Sequence, residues 1–183
     1  MTITESAGAT AAAAEPQLKG ASIIAAVKLA GVSHVLSVPD LHTSLGLLKP
    51  IAEDQQLKLI RVCKEDECLG ISAGLSYGDK RALILIQFTG FLYAMNAIRG
   101  VAVEQKMPMC LMVGLLNNKP GESPSTSQRV GLRIIEPILD LLGIPRILID
   151  SEADVPRIAP AIRDAYENSH PTAILIGRKP VYP

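Results

Sequence analysis

The sequence predicts a doubly wound α/β domain: a six-stranded, mostly parallel sheet with helices on both faces. Two observations carry that expectation. From Gln17 onward, short β-rich runs alternate with segments of helical period or length. Several of the runs are apolar at consecutive positions, among them Ala82-Leu83-Ile84-Leu85-Ile86 and Cys110-Leu111-Met112-Val113. A strand with one wet face alternates polar and apolar residues, so unbroken apolar runs belong to strands covered on both sides, as in a parallel sheet.

The elements follow in order. A first helix spans Gly20 to Ala30, with Gly31 suited to its C-terminal turn, and leads to a strand from His34 to Val38. A helix from Thr43 to Glu53 precedes the strand Lys58 to Val62. A third helix, Asp66 to Tyr77, is closed by Gly78-Asp79 before the strand Ala82 to Gln87. A fourth, Phe91 to Gln105, precedes Met109 to Gly114. Leu115 to Val130 then breaks the alternation with Asn117, Asn118, Pro120, Gly121, Pro124 and three serines. A connection this long inside a compact domain is usually functional, and it is read here as a mobile flap over the site. The helix Gly131 to Leu142 ends at Gly143-Ile144-Pro145, and the strand Arg146 to Ile149, the helix Ala153 to Asn168 and the strand Thr172 to Gly177 complete the sheet.

Composition narrows the class. Residues 17–183 are enough for one domain with a substantial core, and residues 1–16, rich in Ala, Ser, Thr and Gly, read as a disordered tail without the basic start or apolar run of a secretory signal. Eighteen basic and eighteen acidic residues give no polyanion-binding surface, and 3% aromatic content with no tryptophan argues against stacking platforms. Cys63, Cys68 and Cys110 are odd in number and lie in apolar surroundings, which predicts buried thiols in a reducing, cytoplasmic compartment. No apolar run approaches the roughly twenty residues that cross a bilayer.

Ligands of open α/β sheets collect at the carboxyl ends of the strands, where helix N-termini and loop N–H groups converge. The segments so placed are Pro39-Asp40-Leu41-His42, Lys64-Glu65-Asp66-Glu67, Phe88-Thr89-Gly90 and the long loop. His42 has the side chain for proton relay near neutral pH, and it equally suits a hydrogen bond to the helix that follows. A carboxylate at a helix start is favoured by the helix dipole alone, which accounts for Asp66 and Glu67 and is the plain reading of Glu65 taken singly. Among phosphate-binding motifs, neither a Gly-Lys-Ser/Thr loop nor a dinucleotide fingerprint occurs.

The run Lys64-Glu65-Asp66-Glu67-Cys68-Leu69-Gly70-Ile71-Ser72-Ala73-Gly74 resembles the glutamate-bearing segment of thiamine diphosphate-dependent 2-oxo acid decarboxylases, in which a glycine follows the glutamate by nine positions. Ser37-Val38-Pro39-Asp40, Gln87-Phe88-Thr89-Gly90 with Met95-Asn96-Ala97, and Gly143-Ile144-Pro145 fall in the matching order. The pattern is most similar to the pyrimidine-binding alpha subunit of sulfopyruvate decarboxylases and to phosphonopyruvate decarboxylases, from about Gly20 to Gly177. The resemblance implies that Glu65 hydrogen-bonds the cofactor's aminopyrimidine and activates it, with Pro39, Thr89 and Gly90 beside the cofactor and His42 a candidate proton relay. It places Asp40, Leu41, Phe88, Leu92, Tyr93 and Gln128 around the substrate. The family holds the cofactor's diphosphate through Mg²⁺ on a Gly-Asp-Gly segment that this sequence lacks, which implies a separate beta subunit and a hetero-oligomer.

The sequence departs from the family at two points. Phe88-Thr89-Gly90-Phe91-Leu92-Tyr93 stands where the sulfopyruvate pattern is small and polar, and Gly114-Leu115-Leu116-Asn117 has no arginine where related decarboxylases carry one. A sulfonate or phosphonate calls for such a donor fork, so an uncharged or apolar 2-oxo acid is the expected substrate unless Arg129, Lys119 or the partner supplies the charge. The same cofactor also serves carboligation and acyl transfer, and the fold alone suits a non-catalytic assembly subunit.

Overall fold

The computed structural model describes residues 17–182; the tail expected over residues 1–16 lies outside them. Six strands, β1 (Val32–Ser37), β2 (Lys58–Arg61), β3 (Arg81–Gln87), β4 (Met109–Gly114), β5 (Arg146–Ile149) and β6 (Pro171–Ile176), form one sheet in the order β2-β1-β3-β4-β6-β5. All five pairings are parallel, so the mostly parallel sheet of the sequence reading is wholly parallel.

The apolar runs work as their pattern requires. Leu83 and Leu85 of β3 enter one core cluster with Cys110, Met112, Ile174 and Ile176, packed under helices α1 (Gly20–Leu29) and α8 (Ile158–Glu167). Ala82, Ile84 and Ile86 face the other way, into a second cluster with Leu111, Val113, Leu175 and Phe91. That second face is covered by α3 (Glu65–Tyr77), α4 (Phe88–Tyr93), α5 (Met95–Ala97), α6 (Val130–Arg133) and α7 (Ile135–Leu141). Helices therefore lie on both sides of the sheet. Among the described residues, no helix is long and apolar enough to cross a membrane.

The structure corrects several sequence boundaries. The helix expected from Phe91 begins at Phe88, directly on the end of β3, and after α5 continues as a wider π-type turn over Ile98–Glu104. The helix expected over 131–142 is broken at Ile134 into α6 and α7. A π-type turn, Ser44–Leu48, also precedes α2 (Lys49–Glu53). Pro50 has no N–H to close an α-helical turn, and both Leu47 and Leu48 bond back to the Thr43 carbonyl, at 2.8 and 3.3 Å. Gly31 and Gly143 do take the left-handed turn their positions suggested, at φ 79° and 66°, whereas at the end of α3 it is Asp79, at φ 56°, and not Gly78 that does so.

Two further features were not visible in the sequence. The β1–β3 register slips between Val32 and His34, a bulge that leaves Ala82 out of step with its neighbour. The Tyr166 hydroxyl, from α8, accepts from the Ala82 N–H at 2.7 Å and donates to the Ala82 carbonyl at 2.9 Å, so the bulged peptide groups are satisfied. Near the two ends of the described chain, Lys19 pairs with Val181 in an isolated parallel bridge, with Val181 N–H donating to the Leu18 carbonyl at 2.8 Å.

Of the three cysteines, Cys68 and Cys110 are buried and Cys63 is exposed, which corrects the expectation of three buried thiols. Cys63 falls in the connection beyond β2, an edge strand with no sheet neighbour to cover it. Burial pushes the Cys68 thiol up to about 12, with nearby Glu65 adding to the shift, and burial alone raises that of Cys110.

Candidate active site

The chain reverses its direction of winding between β1 and β3: β2 lies to one side of β1 and β3 and β4 to the other. The crevice at the carboxyl ends of those two central strands is therefore where a ligand is accommodated in this class of sheet. Three of the segments singled out in the sequence converge on this edge.

The acidic triplet at the start of α3 divides its work. The Glu67 carboxylate accepts from the backbone N–H groups of Cys63 and Lys64 at 3.0 and 3.3 Å, which satisfies the chain entering the helix. Asp66 has one buried oxygen without a partner among the described residues. Glu65 is half-buried, makes no hydrogen bond or ion pair with any described residue, and lies against the first turn of α4. A Cβ at Gly90 would stand 2.5 Å from Glu65 Cγ and Oε1 and 2.7 Å from Cδ. Because Glu67 already caps the helix, the cap explains nothing about the position of Glu65.

The rest of the β3–α4 turn is partly structural. Thr89 is exposed and its hydroxyl donates to Gln87 Oε1 at 2.9 Å. Phe88 and Leu92 pack against the core cluster on the α3 side, so much of their bulk goes into the interior, whereas Tyr93 is 56% exposed. A Cβ at Gly131 would stand 2.7 Å from Phe88 Cε2, so α6 rests directly on the Phe88 ring.

The loop after β1 is fastened across the strand ends. Asp40 accepts from the backbone N–H of Thr43 at 2.7 Å as well as from the His42 N–H and the Thr43 hydroxyl, which shapes a tight turn. His42 is 3% exposed and its Nε2 is 3.0 Å from the Ile176 carbonyl, which assigns the N–H to Nε2. Burial, with a smaller contribution from Lys179, holds its pKa below the ordinary value even though Asp40 and the Ile176 carbonyl pull the other way. The imidazole is thus a buried, neutral tie between the β1 loop and β6. Gly114 makes the crossing possible: its Cβ would meet Thr43 Cγ2 at 2.9 Å and His42 Cδ2 at 3.3 Å. Pro39 and Leu41 are exposed on the same turn, Leu41 at 76%.

The long loop carries its own fastenings. Ser123 Oγ donates to Glu136 Oε2 at 2.7 Å, Ser125 Oγ donates to the same oxygen, and Gly121 N–H donates to Asp150. Ser123 N-caps a short 3-10 turn at Pro124–Thr126. Gln128 lines a separate hollow of about 440 Å³ with Asn117, Asn118, Lys119 and Arg129, among others, so it is not brought against Glu65. Sequence reasoning missed Gly114, Gly131 and Glu136, whose only signal was proximity in space; two are glycines without a turn and the third is an ordinary helical acid.

The comparisons with known proteins point the same way. The chain resembles sulfopyruvate decarboxylase subunits. It is 28% identical over 155 residues to the alpha subunit of sulfopyruvate decarboxylase from Methanocaldococcus jannaschii, covering 84% of this chain and 90% of that one. A match to the corresponding alpha subunit of Methanococcus maripaludis is 29% identical over 94 residues, 50% of this chain and 54% of the relative. The sulfopyruvate decarboxylase of Methanosarcina acetivorans is 27% identical over 120 residues, 66% of this chain and only 30% of that longer protein. No family model matches the chain.

Proposed function

We propose that this chain is the pyrimidine-binding alpha subunit of a two-chain, thiamine diphosphate-dependent 2-oxo acid decarboxylase. The observation that carries the reading is the Glu65 carboxyl, which is half-buried, uncommitted to any described partner and seated against Gly90 in the first turn of α4, at the winding reversal of the sheet. Those residues fit the aminopyrimidine end of the cofactor: a carboxyl group with no described hydrogen-bond partner, free to meet a ring nitrogen, packed on the glycine of the first turn of α4. The metal-bound diphosphate end is left to another chain, since the sequence has no Gly-Asp-Gly segment to hold it. Thiamine diphosphate, when bound, supplies the electron sink that lets carbon dioxide leave a 2-oxo acid.

In this reading Glu65 holds or shares a proton at the pyrimidine nitrogen, and the β3–α4 turn orients it. Pro39, Leu41 and Tyr93 are exposed on the segments that leave β1 and β3, where substrate would be met, and His42 acts by fixing the β1 loop rather than by meeting substrate, because both its burial and its bond to Ile176 close it off. A beta subunit then supplies the diphosphate and Mg²⁺ site. Three features support a covering chain: the exposed apolar side chains of Leu41, Tyr93 and Val130, all on segments that leave strand carboxyl ends; the exposed helical pair Gly70 and Gly74, beside which a Cβ would meet nothing within 4 Å; and the term "subunit alpha" in the names of two relatives. Because Phe88 packs partly against the core, and because the relatives are sulfopyruvate decarboxylase subunits, sulfopyruvate is the first substrate to assay, beside uncharged 2-oxo acids.

The test is co-expression with a chain that carries the Gly-Asp-Gly segment, then decarboxylation assays with thiamine diphosphate and Mg²⁺. Glu65→Gln is expected to remove turnover while leaving assembly intact. Full activity in that variant would sink the proposal.

A further inference from the structure

Two helical glycines, one against Glu65 and one against the Phe88 ring, have no conformational reason to be there. Gly90 in α4 and Gly131 in α6 both have ordinary helical backbone angles, outside the positive-φ region that favours glycine. In a helix, glycine is less stable than alanine by about 0.5–1 kcal/mol. What each position does require is space. A methyl at 90 would overlap the Glu65 side chain at 2.5 Å, and a methyl at 131 would overlap the Phe88 ring at 2.7 Å. Gly70, Gly74 and Gly100, also helical, show no such contact within 4 Å.

We infer that Gly90 and Gly131 are positioning residues that hold the Glu65 carboxyl in place, Gly90 by direct contact and Gly131 by seating the Phe88 ring that anchors the same turn. The inference rests on Glu65 being the cofactor-activating group. No hydrogen bond fixes that carboxyl within the described residues, so steric fit against the turn selects its rotamer. The turn itself is held from behind, because Phe88 is wedged between the core and α6. Glu65, Gly90, Phe88 and Gly131 thus form one packed chain of contacts, from the helix α3 N-terminus to the helix that closes the long loop.

The size of the effect follows from the overlap. Carbon atoms settle about 3.5 Å apart, so a methyl at Gly90 displaces the carboxyl or the turn by about 1 Å. A misplacement of that size costs about a hundredfold in rate. Gly90→Ala, assembled with the partner subunit and assayed on sulfopyruvate or whichever 2-oxo acid the complex turns over, is expected to lose about a hundredfold in kcat with KM for the 2-oxo acid unchanged. Thiamine diphosphate affinity, measured by titration calorimetry on the same complex, falls with it. In the isolated chain, nuclear Overhauser contacts between the Glu65 Cγ protons and the Gly90 Cα protons are expected in the unmodified protein. Gly131→Ala lowers kcat in the same direction by a smaller factor, and adding Phe88→Leu, which removes the ring edge that meets the new methyl, restores it.

The outcomes separate the two levels of the argument. An inactive Glu65→Gln beside a fully active Gly90→Ala would overturn the positioning role and leave the functional reading standing. A fully active Glu65→Gln would overturn the functional reading itself. If Gly90→Ala does not fold, Gly131→Ala and its double variant decide: an unchanged kcat in Gly131→Ala, or no recovery with Phe88→Leu, refutes the inference.

Discussion

His42→Ala should separate the packing of the β1 loop from its charge state. The imidazole is 3% exposed, so truncation empties a nearly sealed site and removes the hydrogen bond from Nε2 to the Ile176 carbonyl. That carbonyl also accepts from Leu115 N–H at 2.9 Å and is not orphaned, so the bond itself is worth about 1 kcal/mol. Large-to-small changes at buried sites cost about 2–5 kcal/mol for aliphatic side chains, and a partly polar ring belongs at the lower end. Together they give a loss of about 3 kcal/mol at pH 8, a drop of roughly 6–12 °C in melting temperature for a domain of this size. The pH dependence carries the second half of the prediction. Burial holds the folded-state pKa of His42 below its ordinary value of 6.5, so the unfolded chain takes up the proton first. The contribution of the neutral imidazole is therefore complete above pH 6.5 and is lost as the pH falls through the lower, folded-state value. Urea unfolding of both proteins between pH 8 and pH 5 should show the gap between them narrowing toward acid, by at most about 1.4 kcal/mol per pH unit for one proton. A gap that stays constant or widens would refute the buried, neutral assignment; a gap below about 1 kcal/mol at pH 8 would refute the packing argument.

Two further outcomes are expected. Tyr166→Phe removes the hydroxyl that serves both peptide groups of Ala82 at the β1–β3 bulge, and leaving them unpaired in a part-buried site should cost about 1–3 kcal/mol in denaturant unfolding; a change within 0.5 kcal/mol would mean that water replaces the phenol. An aromatic disulfide reagent should titrate one thiol, Cys63, in the folded chain and all three after unfolding, because Cys68 and Cys110 are buried with raised pKa values; rapid labelling of more than one thiol in the native protein would contradict their burial.

The sheet was legible because its signal is local. Apolar runs such as Ala82 to Ile86 state their two-sided burial without reference to the rest of the chain, and Gly31 and Gly143 mark helix ends by a property of their own backbone. Helix interiors were less legible where tertiary contact overrides propensity. The π-type turns at 44–48 and 98–104 and the break at Ile134 depend on what the helix meets, as does the early start of α4 on the end of β3. At the candidate site, the spacing from Glu65 to Gly74 and the order of the strand-end segments pointed to the carboxyl edge of the sheet, where the structure sets Glu65 against Gly90. The separate duties of Glu65, Asp66 and Glu67 could not be read from three adjacent acids, because only the fold shows which carboxylate reaches back to Cys63 and Lys64. Phe88 likewise reads as pocket or core equally well until Gly131 appears beneath its ring.

If the chain works with a second, diphosphate-binding half as proposed, the bridge between Lys19 and Val181 bears on how the two could be joined. Val181 follows β6 by a few residues, and Lys19 leads into the helix that returns to the start of β1, so both points sit along the rim that carries Glu65. A linker attached beyond either point starts next to the surface that a second domain would cover, and need not wrap around the sheet to reach it. For a short flexible tether the local concentration of the attached domain is in the millimolar range. In the two-chain reading proposed above, joining the halves covalently would make their association independent of how much of each chain the cell makes.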